Sequence, residues 1–521
     1  MIASILAHAA SHYAGSTAFE EAGRSLTYRD FAERVARLSA LLSTFGISPG
    51  ERVAILAENS VALAEWYFAA AHGGFVLVPL NFRSHPEGLA RVVAHSGAKL
   101  LVATDRFTAL AAATRAALES VAAGCAPPHL LRLDRLFEQT REATPPRRAV
   151  DVAPDAPAHL YYTSGTTGDP KGVVLTHRNV ASHALLAIAA LGLRESDVWG
   201  HIAPMFHLAD AWATFAITWV GGRHVMVPDF DPPRVLEVLA GAVTMTNLVP
   251  TMLTDLVHHP AASGRAYPQL RRLLSGGAPI APALVAKVMT TFGCEYVQTY
   301  GLTETSPYLT MSLLPARLAA LPAAEQFRYR CKTGRPLAGV EVRVVRDDGT
   351  PVAADGKEVG EITCRGDTVT PGYWQNPAAT AAAFRAGWFL TGDLAVVDGD
   401  GFLHIVDRKK DVIKTGGESV FSTEVEQVLY AHPGVKEAAV IGLPHARWGE
   451  AVVAVVVRRA ADAAATMTPL DAAELLRHCR AHLGGPQVPK AVVFQDALPR
   501  TGSGKLAKRM LRDALRTLEL P

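Results

Sequence analysis

Cysteine is scarce in this sequence, and the few cysteines present are poorly placed for a structural framework. The 521 residues include five cysteines, and none of them forms a Cys-x-x-Cys pair. Zinc sites and disulfide scaffolds usually need cysteines that are closely spaced or numerous, so neither is expected here. We therefore expect free thiols, a reducing compartment and a cytoplasmic location.

Net charge and long apolar runs are lacking as well. Lys and Arg number 51 against 49 Asp and Glu, which gives a net charge of +2. Nucleic-acid binding usually needs a basic field, so nucleic acid is not an expected partner. No stretch reaches the roughly 18 uninterrupted apolar residues of a membrane span, and the N-terminus lacks the basic region of a signal peptide. Peripheral contact with a membrane, for delivery of a lipid substrate, stays open.

The order of β-prone and helical segments indicates an α/β protein. A chain of this length is expected to form two to four compact units. Thr27 and Asp30 form a capping-box pattern that precedes apolar residues at helical spacing. Next, Arg52–Leu56, Val61–His72 and Phe75–Pro79 read as strand, helix and strand, which predicts a βαβ unit with parallel strands.

A glycine-rich stretch, YTSGTTGDPKG, runs from Tyr162 to Gly172 between two β-prone segments. It differs from a Walker loop, because Lys171 is followed by glycine rather than by Ser or Thr and a helix. Glycines let backbone N–H groups approach an anion, and hydroxyls and a lysine complete the cradle. The residues predicted to bind a polyphosphate are Thr163, Ser164, Gly165, Thr166, Thr167, Gly168 and Lys171.

Further motifs follow in order along the chain. LLSGGAP ends a predicted strand at residues 273–279, and TYGLTET at 299–305 follows another. Parallel sheets bind ligands at the carboxyl ends of their strands, where these turns are expected. The remaining motifs are WFLTGD at 388–393, DRKKD at 407–411, KTGGES at 414–419 and LPRTGSGK at 498–505.

These motifs, in this order and over the whole chain, resemble the superfamily of adenylate-forming enzymes, which includes acyl-CoA synthetases, non-ribosomal peptide synthetase adenylation domains and firefly luciferase. The resemblance implies a large N-terminal multi-subdomain α/β lobe and a small mobile C-terminal α+β lobe. The expected boundaries are 1–407 for the AMP-binding domain, 408–411 for the hinge and 412–521 for the lid domain.

The resemblance also assigns the nucleotide site. The glycine-rich loop would hold the β- and γ-phosphates of ATP, Thr303 would contact the α-phosphate, and Glu304 would bind Mg²⁺. A single carboxylate suits Mg²⁺, which takes other ligands from phosphates and water. The residues implied for adenine and ribose are Gly276, Gly277, Ala278, Tyr300, Gly301, Asp393 and Arg408.

Catalysis and transfer to CoA are assigned in the same way. Lys505 is the implied adenylation lysine, and Thr303 and His207 are grouped with it as catalytic. Lys410 is the implied hinge, and Gly416 and Gly417 border a channel for the pantetheine of CoA. One turn departs from the family pattern, because PQVPK stands at 486–490 where members often read YKxPK. Contacts to CoA carried over to that turn are therefore in doubt.

The acid substrate is predicted from PMFH at 204–207, which matches a segment beside the carboxylate pocket. The predicted acyl pocket comprises Phe206, His207 and Trp212. Amino-acid adenylation domains usually carry an Asp at this place, and an imidazole cannot replace its charge, so we expect a plain carboxylic acid. The leading prediction is a medium- or long-chain fatty acyl-CoA synthetase that uses ATP, Mg²⁺ and CoA. A homodimer is one option for its assembly.

Four alternatives remain at this stage. An aryl or cinnamate-type acid is the first, with Asp210 and Trp212 lining its pocket. A stand-alone adenylating enzyme that loads a carrier protein is the second, although the insertion typical of such enzymes is not evident. A luciferase-like oxygenase shares the first half-reaction, but nothing in the sequence indicates luciferin. A catalytically silent paralogue would be expected to lack Lys505 or Glu304, and both are present.

Overall fold

A computed structural model describes residues 1–122, 127–164, 170–459, 470–500 and 506–520, with Ser164 described by its backbone alone. The chain forms two compact units. The first comprises Met1–Val342 and Cys364–Phe389, and the second comprises Arg343–Thr363 and Leu390–Pro521. The boundaries at 407 and 411 inferred from sequence remain a proposal.

The described strands are numbered in chain order: β1 Thr17–Glu21, β2 Arg24–Thr27, β3 Arg52–Leu56, β4 Val76–Pro79, β5 Leu100–Thr104, β6 His129–Leu133, β7 Pro157–Ser164, β8 Pro170–Thr176, β9 Val198–His201, β10 Arg223–Met226, β11 Met245–Asn247, β12 Arg272–Ser275, β13 Glu295–Gly301, β14 Tyr308–Met311, β15 Arg335–Pro336, β16 Glu341–Val345, β17 Gly360–Arg365, β18 Phe384–Arg385, β19 Trp388–Val397, β20 Leu403–Arg408, β21 Ile413–Thr415, β22 Glu418–Val420, β23 Val435–His445, β24 Gly449–Arg458 and β25 Ala491–Phe494.

The described α-helices are α1 Ile2–His12, α2 Tyr28–Thr44, α3 Val61–Gly73, α4 Pro86–Ser96, α5 Thr108–Val121, α6 Arg135–Ala143, α7 His177–Leu191, α8 Leu208–Trp219, α9 Pro232–Ala240, α10 Pro250–His258, α11 Pro282–Phe292, α12 Ala316–Ala319, α13 Ala323–Arg330, α14 Pro377–Ala383, α15 Ser422–Tyr430, α16 Ala472–His482 and α17 Lys508–Ala514.

The first unit contains a six-stranded sheet with the order β6-β5-β3-β4-β7-β8. Strands β3 and β4 pair in parallel across helix α3, which confirms the predicted βαβ unit. Strands β7 and β8 pair in antiparallel fashion and form the edge hairpin that carries the glycine-rich loop. The prediction that this loop joins two strands, rather than a strand and a helix, is therefore confirmed.

The second sheet of the first unit has nine strands in the order β15-β14-β13-β12-β11-β9-β10-β1-β2. The strands from β13 to β1 are paired in parallel, and antiparallel strands complete both edges. Strands β12 and β13 precede the two glycine turns predicted to bind nucleotide. Because they are parallel neighbours, both turns lie at the same edge of the sheet.

Two helices of the first unit show how well the local pattern predicted burial. Helix α2 begins after Thr27, whose side chain accepts a hydrogen bond from the Asp30 backbone, as predicted. The spacing of apolar residues over 209–220 predicts an amphipathic helix, but residues 210–218 of helix α8 are all buried. Its polar residues Asp210, Thr214 and Thr218 are buried as well, so they face the protein interior rather than water.

The second unit contains a sheet with the order β22-β21-β24-β23, with β25 beside β24. Strand β24 is buried on both faces. On one face, Val452 and Val456 pack with Leu429 and Leu475 from helices α15 and α16. The opposite face packs against the end of the chain through Val453, Val455, Val457, Leu498 and Leu511.

A second capping-box pattern, at Thr423 and Glu426, predicts the start of a helix in this unit, and that cap is wrong. Helix α15 begins at Ser422 and has no side-chain cap. The Thr423 hydroxyl instead donates to the carbonyl of Val406, and Glu426 accepts from the Val440 backbone. Both side chains bind groups distant in sequence, so the local pattern could not reveal their partners.

Cysteines and helices agree with the sequence-based expectations wherever they are described. Cys294, Cys331, Cys364 and Cys479 are free, and Cys125 lies outside the described residues. Burial raises the pKa of the Cys294 thiol to about 12. Within the described ranges, every helix is too short or too polar to cross a bilayer.

Candidate active site

The edge hairpin places the predicted phosphate-binding residues in register. Tyr162 lies opposite Gly172, and Thr163 lies opposite Lys171. A side chain at Gly172 would put its Cβ 2.9 Å from the Tyr162 ring, so only glycine fits beneath that ring. Of the other predicted residues, the side chain of Ser164 is not described, and Gly165, Thr166, Thr167 and Gly168 lie outside the described residues.

Tyr373 connects this hairpin to the predicted metal ligand. The Lys171 ammonium lies 5.5 Å from the centre of the Tyr373 ring. The Tyr373 hydroxyl donates to a carboxylate oxygen of Glu304 over 2.9 Å, and Glu304 is only 8% exposed. Lys171 and Glu304 are far apart in sequence, yet one side chain contacts both. Tyr373 could not be identified from the sequence, because the run Gly-Tyr-Trp at 372–374 gives no indication of this contact.

The two glycine turns lie side by side, as predicted. Gly276, Gly277 and Ala278 follow β12; Gly276 is buried, Gly277 and Ala278 are exposed, and Gly277 has a φ of +81°. A Cβ at Gly276 would lie 2.4 Å from the Thr299 hydroxyl, which shows how closely this turn approaches β13. Strand β13 ends in Tyr300 and Gly301, and a short 3₁₀ turn holds Thr303–Thr305. The structure therefore groups the residues predicted to bind adenine and the α-phosphate.

The loop that carries Phe206 and His207 is fixed by buried neutral groups. The Asn59 amide donates to the carbonyls of His201 and Ala203, each over 2.9 Å, and its oxygen accepts from the Met205 N–H over 2.8 Å. The Tyr67 hydroxyl donates to the Met205 carbonyl over 2.7 Å. This loop therefore has a geometry set before any substrate binds.

Phenylalanine rings border the same loop. Phe206 is buried, and its ring centre lies 4.8 Å from that of Phe82, which stacks on Phe107 at 4.7 Å. His207 is half-buried at the start of helix α8, with its ring 4.4 Å from Phe206. The surroundings of His207 are thus aromatic and apolar on the side of Phe206.

Trp212 and Asp210 lie deeper than the predicted pocket. Trp212 is 2% exposed, and its indole N–H donates to the carbonyl of Ala209 and to the Tyr308 hydroxyl. Asp210 is fully buried, 2.6 Å from His201 Nδ1. Asp210 therefore belongs to a buried polar network rather than to an open pocket wall, and an acyl-pocket role for Trp212 remains a proposal.

The buried network around Asp210 continues through two histidines. His201 Nε2 lies 2.9 Å from His224 Nδ1, and His224 Nε2 lies 3.1 Å from the Thr218 hydroxyl. Burial, and then the neighbouring His201, lower the pKa of His224 well below its ordinary value. The network ties strands β9 and β10 to helix α8, and no sequence motif indicated it.

In the second unit, the two residues predicted near the ribose form an ion pair. Asp393 on β19 lies opposite Arg408 on β20, and the Arg408 Nε lies 3.3 Å from the Asp393 carboxylate. Asp393 is buried, whereas Arg408 is exposed. Their cross-strand pairing places the two side chains next to each other, and their role at the ribose remains a proposal.

The predicted hinge segment is held by polar contacts. The buried Asp407 carboxylate accepts from the backbone and the hydroxyl of Ser422. Asp411 forms an ion pair with Arg512. Lys410, the predicted hinge residue, is exposed.

The predicted CoA channel glycines form a tight turn. Gly416 and Gly417 connect β21 and β22 with φ angles of +59° and +87°, which two-residue hairpin turns require. The Gly416 N–H donates to the Trp448 carbonyl over 2.9 Å, and the Lys490 ammonium lies 4.7 Å from the Trp448 ring centre. Lys505, the predicted adenylation lysine, lies outside the described residues.

The chemistry of Glu304 fits a magnesium ion that arrives with a nucleotide. The described part of the chain contains no cluster of three His, Cys, Asp or Glu side chains that could hold a metal unaided. Mg²⁺ is usually bound by one or two carboxylates together with phosphates and water. A single oriented carboxylate beside the hairpin predicted to bind phosphates meets that description.

Comparison with known proteins gives the same picture. Residues 6–374 match the family model described as AMP-binding enzyme, and residues 424–505 match its C-terminal domain. A feruloyl-CoA synthase from Amycolatopsis is 39% identical over 499 residues, with 95% of each chain covered. A long-chain-fatty-acid–CoA ligase from Thermus thermophilus is 38% identical, covering 94% of this chain and 90% of that one. ATP-bound MatB from Rhodopseudomonas palustris is 31% identical with a TM-score of 0.86, covering 99% of both chains.

Proposed function

From the premise that the chain belongs to the AMP-binding enzyme family and is an AMP-forming acyl-CoA ligase, we propose that it activates a fatty acid of medium or long chain. The nucleotide part of this proposal rests on one observation: Tyr373 contacts both Lys171, through its ring, and Glu304, through its hydroxyl. A cation and a carboxylate that both contact one side chain, beside a glycine-rich hairpin, suit the phosphates of ATP and their magnesium ion.

In the first step, a carboxylate oxygen of the acid attacks the α-phosphorus of ATP. The bond from that phosphorus to the β-phosphate oxygen breaks, and pyrophosphate leaves. Both reactants are anions, so the main task of the site is to position them and neutralise their charge. Lys171, Lys505 and the amides of the hairpin serve this task, and bound Mg²⁺ supplies further positive charge at the phosphates.

In the second step, the sulfur of CoA attacks the acyl carbon, and AMP leaves with the electrons of the broken carbon–oxygen bond. The turn at Gly416 and Gly417 allows a thin pantetheine arm to pass, because neither residue has a side chain. Trp448 and Lys490 beside this turn offer an aromatic face and a cation for the nucleotide part of CoA. We propose that rotation about Lys410 exchanges Lys505 for this turn between the two steps.

The acid is proposed to be apolar beyond its carboxylate. The rings of Phe82 and Phe107 continue from Phe206 and His207 and favour an acyl chain or an aryl group over a charged acid. A cinnamate-type aryl acid is the second candidate, because the relatives include a feruloyl-CoA synthase as well as a fatty-acid ligase. A carrier protein in place of CoA is the third candidate.

The test is pyrophosphate release from purified enzyme with ATP, offered saturated fatty acids of graded length, benzoates and cinnamates, with and without CoA. We expect AMP and pyrophosphate with fatty acids, and acyl-CoA only when CoA is added. Preference for cinnamates would replace the fatty acid with an aryl acid. Adenylate formation without transfer to CoA would favour a carrier protein. ADP as the product would refute the proposal as a whole.

A separate test asks whether Lys505 acts in the first step and not in the second. Lys505→Ala is expected to abolish acyl-AMP formation and to leave thioester formation from supplied acyl-AMP and CoA. Rapid-quench measurement of each half-reaction distinguishes the two. Equal loss in both half-reactions would reject the proposed exchange of Lys505 for the Gly416–Gly417 turn.

A further inference from the structure

Tyr373 lies on a segment that covers the free edge of the phosphate hairpin. Strand β8 is the last strand of its sheet. Tyr373 forms an antiparallel bridge with Val173, and the Trp374 N–H donates to the Gly172 carbonyl over 2.7 Å. The position of the Tyr373 backbone is therefore coupled to that of the hairpin.

The same segment is also fastened to the turn that carries Glu304. The Thr370 N–H donates to the Glu304 carbonyl over 2.8 Å. The Thr370 hydroxyl donates to the Val174 carbonyl on β8 over 2.6 Å. Residues 370–374 thus connect two parts of the site through backbone and side-chain contacts, with Tyr373 in the centre.

We propose that Tyr373 is a positioning residue with two separable roles: its hydroxyl orients Glu304 toward a divalent cation, and its ring holds the Lys171 ammonium ready for the phosphates. This inference rests on the proposed function. Neither role requires Tyr373 to contact the nucleotide or the acid.

The hydroxyl role follows from hydrogen-bond chemistry. A neutral phenol that donates to a carboxylate fixes its orientation without cancelling its charge, so the carboxylate keeps its affinity for a cation. Hydrogen-bond partners of metal ligands commonly account for about a 10- to 100-fold difference in metal affinity. Burial, followed by the Glu304 charge and the hydrogen bond to it, raises the pKa of Tyr373.

The ring role follows from the electrostatics of aromatic faces. A lysine side chain has four flexible carbons, and ordering it lowers its entropy when a phosphate binds. A cation over an aromatic ring is attracted by the negative face of the ring. Lys171 would then be partly ordered before ATP arrives, which lowers the cost of binding.

Two variants separate the roles. Tyr373→Phe removes the hydroxyl and keeps the ring, and Tyr373→Leu removes both. We expect Tyr373→Phe to weaken Mn²⁺ binding to the enzyme with a non-hydrolysable ATP analogue by about 10-fold, measured by electron paramagnetic resonance. Its affinity for the analogue in EDTA should stay unchanged. Tyr373→Leu should weaken metal binding equally and also weaken analogue binding in EDTA by about 3- to 10-fold.

Two controls make the outcome decisive. Tyr267→Phe also removes a buried phenol hydroxyl, one that has no hydrogen-bond partner among the described residues, and should change neither affinity. In a Lys171→Ala background, Tyr373→Leu should cause no further loss of analogue affinity in EDTA. Unchanged Mn²⁺ affinity in Tyr373→Phe, or a full additional loss in the Lys171→Ala background, would overturn the corresponding role. Failure of the unmodified enzyme to bind metal and analogue would instead count against the proposed function.

Discussion

Two segments on which the proposed chemistry depends are held by contacts of different kinds. In the first unit, residues 201–205 before His207 are fixed by the neutral side chains of Asn59 and Tyr67. In the second unit, residues 407–411 are held largely by charged side chains, including Asp407 and Arg512. Buried neutral hydrogen bonds depend on geometry and respond little to salt, whereas ion pairs near the surface are weak and exchange easily.

This difference fits the roles proposed for the two segments. The loop before His207 is proposed to keep one geometry for the acid substrate, and permanent buried bonds suit that role. The segment around Lys410 is proposed to rotate. The ion pairs of the exposed Lys409 can break at low energetic cost, whereas the bonds from Asp407 to Ser422 are buried and cost more to break. The four changes below test this contrast, from the largest expected effect to the smallest.

The largest effect is expected from Asn59→Leu. This change leaves the His201 and Ala203 carbonyls and the Met205 N–H buried without their partner, at a cost of about 3 kcal/mol or more in the free energy of unfolding. The KM for the acid substrate should rise at least about 10-fold while the KM for ATP stays nearly unchanged, because this loop borders the proposed acid pocket. Chemical denaturation and steady-state kinetics check both. Equal effects of Asn59→Leu on both KM values would contradict a local role.

Next in size is Asp407→Ala. It leaves the Ser422 N–H and hydroxyl, both buried, without the carboxylate that accepts from them, so the second unit should lose about 2 kcal/mol of stability. The exposed Asp513 provides the control, because Asp513→Ala should leave the unfolding midpoint unchanged. If the two variants unfold at the same denaturant concentration, the Asp407 contact does not stabilise the hinge segment.

Low pH should lower the stability of the first unit through its buried histidines. His159 is fully buried, neither ring nitrogen has a hydrogen-bond partner among the described residues, and burial lowers its pKa to about 3. The unfolded chain therefore binds a proton at this residue below about pH 6.5 while the folded chain does not, and stability falls as pH drops from 6.5 toward 3, by about 1.4 kcal/mol per pH unit. His159→Phe, which keeps a ring against Phe215, should unfold at a higher temperature than the unmodified protein at pH 5.5 and lose less stability between pH 7 and 5.5.

The exposed His85 supplies the matched control for this loss of stability at low pH. His85→Gln should keep the pH dependence of the unmodified protein. A His159→Phe variant with the same pH dependence as the unmodified protein would show that this residue does not carry the effect.

The smallest effect is expected from Lys409→Met. The Lys409 ammonium lies 2.9 Å from Asp347 and 3.0 Å from Glu361, but the lysine side chain is 48% exposed. Exposed pairs contribute about 0.2–1 kcal/mol, and salt screens them. The variant should differ from the unmodified protein by less than about 1 kcal/mol in dilute buffer, and the difference should vanish in concentrated NaCl. A difference in stability that persists in salt would show that this ion pair resists salt as the buried hydrogen bonds of the first unit do.

Sequence predicted best the features that depend on neighbours along the chain. Helix α2 with its Thr27 cap and the strand–helix–strand unit β3–α3–β4 follow from local pattern. The adjacency of the turns after β12 and β13 followed from the rule that parallel strands end at one edge. The predicted exposure of helix α8 was wrong, because a pattern of apolar residues does not show how many sides of a helix the rest of the fold covers.

Contacts between distant residues could not be predicted from the pattern. Asn59 precedes a helix and reads as an ordinary surface residue, yet it binds a loop more than a hundred residues later in the chain. Tyr373 was not assigned a role, although it joins Lys171 to Glu304. The residues proposed to bind nucleotide were identified by resemblance to a family. The pattern of residue types indicated only that their chemistry is suitable.

Strand β24 has a practical consequence for anyone who produces this protein. Its alternate valines on one face are covered by Leu498 and Leu511 from the last part of the chain. A strand so rich in valine, if uncovered on one face, is a template for aggregation. Truncation before Leu498 should therefore yield insoluble protein in expression hosts.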